Sequence, residues 1–163
     1  MKRLLLAFSP IFLAACSAET PPAEPEAAEA PAPVAEEAAP AVDVTAAIPS
    51  PEGARVFFVN IADGDTVTSP FTVEFGLEGM TVTTAGDNAE NSGHHHLIIN
   101  APLPDMTLPV PADDNYRHFG DGSSSTELTL EPGQHTLQLL LGDWLHRPHE
   151  PAVYSDVITI TVE

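Results

Sequence analysis

Alternation of apolar and polar residues constrains the fold of this 163-residue chain more than any other feature. Residues 71–78 alternate over eight positions, and residues 157–162 alternate again. Residues 134–141, which follow a Pro-Gly turn, are another strand candidate. Successive side chains of a strand point to opposite faces of a sheet, so this pattern is typical of half-buried strands. No segment shows a sustained apolar period of 3.6 residues. Further strand candidates are 55–61, 95–99 and 126–131.

The number and length of these segments indicate one architecture. Six or seven short strands within about 110 residues are typical of an all-β, antiparallel two-sheet sandwich, immunoglobulin-like in architecture. The chain has one cysteine, so the disulfide of antibody domains cannot form and only the architecture is predicted. Two long segments, 79–93 and 101–124, are expected to be loops. Loops of that length in a compact domain are usually functional or mobile.

The first 15 residues have the character of a secretory signal peptide. A cationic start precedes a mostly apolar run over residues 4–13, which is shorter than the about 20 residues of a membrane-spanning helix. The run ends in Leu-Ala-Ala-Cys at Cys16, which resembles the bacterial lipobox. We therefore expect lipidation of Cys16 and a location in the cell envelope, with the membrane as a partner through this anchor. Ser17, in place of an acidic residue, favours the periplasmic face of the outer membrane over the inner membrane.

Residues 16–52 are expected to form a disordered tether. Residues 17–52 contain eight acidic residues, eight prolines and no Lys or Arg. Such a stretch has few large apolar side chains, so burial cannot offset the entropy lost on ordering. The folded domain is therefore predicted to span residues 53–163.

The charge balance disfavours one class of partner. The 24 Asp and Glu residues against 5 Lys and Arg give a formal net charge of −19, whereas nucleic-acid binding requires clustered cations. The sequence also contains no nucleophile elbow, no phosphate-binding loop and no His-Glu-x-x-His. We therefore expect neither a nucleic-acid partner nor an enzyme.

The histidines are the candidates for chemistry, since all seven lie between residues 94 and 149. On a strand, His94 and His96 share one face, while His95 points to the other. The His-x-x-His spacing of His146 and His149 can bring both rings to one ion if the loop turns there. The predicted ligands are His94, His96, His118, His135, His146 and His149. The predicted outer partners of the ligands are His95, Asp121 and Asp143, with the two carboxylates as acceptors for an imidazole N–H.

Copper or zinc is the ion that such a site would take. Imidazole is a common ligand of both metals, and a histidine-rich site without cysteine suits Zn²⁺ or Cu²⁺. His95 and His135 have an alternative role as packed histidines in or at the edge of the core, because both share parity with apolar core positions. An alternative function is an envelope module that interacts with a protein or a glycan, with the histidines as a structural polar network. An envelope protein is a possible partner in either case.

Several strings of the domain resemble an uncharacterised family of exported bacterial domains. They are GHHHLIIN at 93–100, HFGDG at 118–122, PGQHTLQL at 132–139 and HRPH at 146–149. The chain resembles the domain of unknown function 4399 over about residues 55–163. This resemblance implies an exported domain with this boundary and implies no particular chemistry.

Overall fold

The computed structural model describes residues 47–163, so the predicted signal peptide, Cys16 and most of the predicted tether lie outside the described residues. Within this range no helix has the length and apolar character needed to cross a membrane. The regular elements are β1 (Arg55–Phe58), β2 (Thr66–Val67), β3 (Phe71–Glu78), β4 (Thr81–Val82), β5 (Ser92–Ile99), β6 (Tyr116–His118), β7 (Ser125–Leu128), β8 (Gly133–Gly142) and β9 (Ile158–Val162).

The strands form two sheets, which confirms the predicted all-β, two-sheet fold. The smaller sheet has the order β1-β3-β7 and is antiparallel. The larger sheet has the order β2-β9-β8-β5-β4, and β6 also pairs with β5. The pairs β5–β8, β8–β9 and β5–β6 are antiparallel. The short pairs β2–β9 and β4–β5 are parallel, which the alternation pattern could not predict.

The alternating residues bury one face of each sheet. In β3, Val73 and Phe75 are buried while the intervening Glu74 is exposed. Burial of apolar side chains between the sheets contributes most of the driving force for such a fold. The core between the sheets contains Val56, Val73, Phe75, Leu97, Ile99, Leu128, Leu137, Leu139, Leu141, Val153, Ile160 and Val162.

Strand β5 is buried on both faces along its whole length. Leu97 and Ile99 face the core between the sheets. Ile98 lies on the other face, where it packs with Leu140 and Val110. Part of the long segment 101–115 therefore covers the outer face of the larger sheet, and this explains its apolar residues. The partly buried residues of this cover are Ala101, Leu103, Met106 and Tyr116.

The ordered structure begins before the predicted boundary at residue 53. The Ser50 amide donates to the Glu150 carbonyl oxygen (3.2 Å), and the Glu150 amide donates to the Ile48 carbonyl oxygen (3.0 Å). The Ser50 hydroxyl also donates to the Pro151 carbonyl oxygen (2.7 Å). Residues 48–51, which were assigned to the tether, thus pair with the segment that follows His149. The composition of this segment predicted disorder. It could not predict the pairing, because each of these hydrogen bonds involves a main-chain group, and composition describes side chains only.

Candidate metal centre

Strand parity places two histidines on the outer face of the larger sheet. The His94 and His96 rings lie with their centroids 4.8 Å apart. His95 points to the opposite face, where its ring centroid is 5.3 Å from that of Phe75. The predicted division of the three consecutive histidines between the two faces is confirmed.

A third histidine reaches this pair from the neighbouring strand β6. His118 lies directly opposite His96 in the antiparallel register. Its ring centroid is 5.1 Å from that of His96 and 4.8 Å from that of His94. Strand β6 has only three residues and lies within a segment that was predicted to be a loop. The alternation pattern is too short there to indicate a strand.

A fourth histidine comes from the turn after β8. The His146 ring centroid lies 4.5 Å from that of His118 and 4.9 Å from that of His94. Its separation from His96 is larger, at 6.3 Å. Three separate segments of the chain therefore bring four imidazoles together. We call His94, His96, His118 and His146 the histidine cluster.

Three members of the cluster have the spacing of a metal site. One ring nitrogen from each of His94, His96 and His118 lies within 4.8 Å of the other two. Nitrogens bound to a single zinc ion, at about 2.0–2.1 Å each, can be no more than about 4.2 Å apart. The observed limit of 4.8 Å is close to this value. These residues could hold a metal ion.

Two glycines provide the space for the rings. A Cβ atom on Gly142 would lie 2.6 Å from His96 Cε1 and 3.5 Å from His94 Nε2. A Cβ atom on Gly120 would overlap His118 Cε1 and would lie 2.6 Å from its Nε2. The cluster therefore occupies volume that any side chain at these positions would fill.

The buried ring nitrogens lack conventional partners. Among the residues that the structure describes, none makes a hydrogen bond to either ring nitrogen of His94 or His96, and both side chains are 0% exposed. Buried polar groups in proteins are nearly always hydrogen-bonded, because an unsatisfied group loses its hydration without compensation. A metal ion bound through these nitrogens would provide the missing interaction.

Burial keeps these imidazoles neutral. Desolvation, followed by repulsion from His118 and His146, lowers the pKa of His94 to about 3. Desolvation and the neighbouring histidines, His94 foremost, lower the pKa of His96 to about 2. Only a neutral imidazole has a free lone pair for a metal. The two buried members are therefore in the protonation state that ligands require.

The outer members of the cluster are more accessible. His118 is exposed and His146 is partly exposed. Desolvation and then His146 lower the pKa of His118, while Asp121 opposes this shift. The Asp121 carboxylate itself accepts hydrogen bonds from the Ser123 amide and hydroxyl (3.0 and 2.6 Å). The influence of Asp121 on His118 is thus a charge interaction, whereas a hydrogen bond to the ring was predicted.

Two of the six predicted ligands have other interactions. His135 accepts a hydrogen bond at Nδ1 from Asn100 Nδ2 (2.9 Å) and donates from Nε2 to the Glu131 carbonyl oxygen (2.8 Å). Both of its ring nitrogens are satisfied, and it pairs with Ile160 near the other end of β8 from Gly142. The structure therefore separates His135 from the cluster, because six residues of β8 lie between His135 and Gly142.

His149 also points away from the cluster towards the start of β5. Its buried ring donates from Nε2 to the Ser92 carbonyl oxygen (3.2 Å). Burial lowers the pKa of His149, and the charge of Asp143 opposes this shift. The turn that follows β8 brings only His146 into the cluster, although the His-x-x-His spacing predicted that both rings would meet one ion.

The Asp143 carboxylate binds main-chain amides of the turn, whereas it was expected to bind a histidine ring. Its Oδ1 accepts hydrogen bonds from the Leu145 amide (2.7 Å) and the Arg147 amide (2.9 Å). Asp143 was predicted to accept a hydrogen bond from an imidazole. The main-chain amides that it binds flank His146, and neither sequence spacing nor composition indicated this contact.

Comparison with known proteins identifies a family for this domain. Searches of curated proteins and of solved structures found no match. A comparison with protein families matches residues 73–163 to the family described as "Domain of unknown function (DUF4399)". The matched range includes all four members of the histidine cluster and both glycines that accommodate it. The chain therefore belongs to the DUF4399 family.

Proposed function

We propose that this domain binds a transition-metal ion through His94, His96 and His118, with His146 as a fourth ligand. The observation that carries the proposal is the convergence of four imidazoles whose buried members have no hydrogen-bond partners among the described residues. A structural polar network of histidines, the alternative function, would satisfy its nitrogens within the protein. His135 does so elsewhere in this chain. The buried ring of His95, on the opposite face, also has no hydrogen-bond partner among the described residues, so the convergence of the four rings, and not the unpaired nitrogens alone, supports the metal site.

Copper and zinc are the metals that we propose. The donor set is entirely imidazole nitrogen, which suits Zn²⁺ and Cu²⁺ better than the hard cations Mg²⁺ and Ca²⁺. Three ring nitrogens converge, and with His146 as a fourth ligand the site would suit the tetrahedral coordination that zinc adopts in structural sites. His118 and His146 lie at the accessible side of the cluster, so an ion can enter from that side.

We further propose that the protein acts as a binding protein of the cell envelope. The support for this location is the signal-like segment 1–15, with Cys16 as the lipid attachment site and the periplasmic face of the outer membrane as its destination. The acidic, proline-rich segment that follows would keep the domain away from the lipid. A role in binding rather than catalysis agrees with the lack of catalytic motifs in the sequence, and an envelope protein that exchanges the ion is a possible partner.

Isothermal titration of the metal-free, detergent-solubilised full chain with Zn²⁺ and Cu²⁺ tests the metal site. We expect one ion per chain for the unaltered protein and no measurable binding for the double variant His94→Ala/His96→Ala. His135→Ala is the matched control, because it removes a histidine outside the cluster, and it should bind as the unaltered protein does. Equal titration curves for the unaltered and the double-variant proteins would contradict the proposal.

A further inference from the structure

One buried carboxylate organises the turn that carries His146. Asp143 is 1% exposed, and its Oδ1 accepts the Leu145 and Arg147 amides. The main chain adds two bonds within the same turn. The Asp143 amide donates to the Arg147 carbonyl oxygen (2.8 Å), and the His146 amide donates to the Asp143 carbonyl oxygen (2.9 Å). Hydrogen bonds with Asp143 therefore hold the main chain of the turn on both sides of His146.

The backbone of His146 adopts a conformation that requires such support. Its φ angle is +65°, in the left-handed region. This region is unfavourable for an L-residue other than glycine, because Cβ approaches the following carbonyl oxygen, and it persists where the surroundings determine it. The His146 carbonyl oxygen also accepts the Val110 amide (2.7 Å) from the loop that covers the sheet. In this conformation the imidazole faces His94 and His118.

We propose that Asp143 is a positioning residue that sets the number of imidazoles bound to the metal. Its Oδ1 holds the turn in which His146 is the fourth ligand. Without that acceptor the backbone of His146 relaxes from the left-handed region, and the ion keeps the three imidazoles of β5 and β6. This inference rests on the proposed function, since it concerns the geometry of the same metal site.

The visible spectrum of bound Co²⁺ reports the coordination of the ion directly. Four-coordinate Co²⁺ absorbs visible light more strongly than Co²⁺ that has gained solvent ligands. The experiment uses the metal-free full chain in detergent. We expect His146→Ala and Asp143→Ala to give the same weakened and shifted bands. We also expect both to bind Co²⁺ about ten- to a hundredfold more weakly, as is usual when a group that orients a ligand is removed. Asp143→Asn should restore the original spectrum, because the amide oxygen accepts the same two hydrogen bonds.

A matched control and a milder variant complete the test. Asp105 also accepts two bonds at Oδ1 in a turn, from the amide and the hydroxyl of Thr107, so Asp105→Ala should leave the Co²⁺ spectrum unchanged. Asp143→Ser keeps a weaker acceptor, so its spectrum should lie between those of the unaltered protein and of Asp143→Ala. This variant replaces Asp143→Ala in the test if Asp143→Ala does not fold.

Two results separate this inference from the proposed function. If the unaltered chain binds no Co²⁺, Zn²⁺ or Cu²⁺, the metal site itself is wrong. If the unaltered chain binds Co²⁺ and the Asp143→Ala or Asp143→Ser spectrum is identical to it, only the positioning role is wrong. An Asp143→Asn spectrum that equals that of His146→Ala would also overturn the positioning role, because the hydrogen bonds would then not be the cause.

Discussion

The backbone of Gly142 lies so close to the His96 ring that there is no space for a side chain at position 142. A Cβ atom on Gly142 would lie 2.6 Å from His96 Cε1 and 3.1 Å from Nδ1. Real Cβ atoms do not approach other heavy atoms this closely, so the ring could not keep its place beside any other residue. The absence of a side chain at the end of β8 is therefore part of the proposed metal site on β5.

Gly142→Ala should weaken metal binding. The new methyl group must displace the His96 ring, which moves its nitrogens away from those of His94 and His118. We expect at least a tenfold loss of Zn²⁺ affinity by calorimetry, together with a loss of about 1–3 kcal/mol in the free energy of unfolding from overpacking. Gly133→Ala, at the other end of β8, is the control. Nothing lies within 4 Å of its added Cβ, although its φ is +140°, so it should reduce stability without changing the affinity. Unchanged affinity in Gly142→Ala would show that His96 is not a ligand.

His96→Leu should stabilise the metal-free domain while reducing metal binding. The substitution replaces a fully buried ring, whose nitrogens have no hydrogen-bond partner among the described residues, by an apolar side chain of similar volume. Removing an unsatisfied buried polar group raises the free energy of unfolding by about 1–3 kcal/mol. Urea denaturation of the metal-free variants measures the change. His135→Leu is the contrasting case, because it removes two hydrogen bonds and should lower stability. A loss of stability in His96→Leu would indicate that the ring makes a favourable contact in the metal-free protein.

The metal-free domain should lose stability on mild acidification. Burial lowers the pKa of His95 to about 4, and those of His94 and His96 to about 3 and about 2, all below the unfolded value of about 6.5. The unfolded chain therefore binds more protons below pH 6.5, and stability falls as the pH falls from there towards the folded pKa values. The slope is at most about 1.4 kcal/mol per pH unit for each histidine.

Thermal unfolding between pH 7.5 and pH 5 measures this acid sensitivity before most carboxylates titrate. His95→Phe removes one of the five histidines whose pKa is lowered, since His118 and His149 add to the three named above. The dependence of Tm on pH should therefore become less steep by about a fifth to a third. A Tm that does not change between pH 7 and pH 5 would contradict the prediction.

The segment 48–51 should contribute to the stability of the domain. A chain that starts at residue 53 lacks two main-chain hydrogen bonds with Glu150 and the Ser50 hydroxyl bond to Pro151. At about 0.5–1.5 kcal/mol for each of the three bonds, we expect the free energy of unfolding to fall by about 1.5–4.5 kcal/mol relative to a chain that starts at residue 47. Urea denaturation of the two chains gives the difference. Equal midpoints and slopes would show that the paired segment adds nothing.

Much of the fold could be predicted from local pattern. The observed β3, Phe71–Glu78, coincides with the predicted segment, and β8 extends the predicted 134–141 by one residue at each end. Strand β3 alternates because one of its faces is buried, and that signal is contained in neighbouring residues. Residues 137–142 of β8 are buried on both faces, so this half of the strand is almost continuously apolar. Strands β4 and β6 were missed because two or three residues carry no readable period. Their pairing with β5 comes from contacts between segments far apart in the chain.

The sequence by itself determined that His94 and His96 share a face, because the two-residue period of a strand is a local property of the backbone. Only the tertiary structure decided which other histidines join them. The register of β5 with β6 places His118 opposite His96, and the Asp143 turn directs His146 into the cluster while His149 binds the Ser92 carbonyl oxygen. The physical reason is that the register depends on main-chain hydrogen bonds between distant segments, whereas the turn depends on local hydrogen bonds to the Asp143 side chain. The spacing of the histidines along the chain contains no record of either.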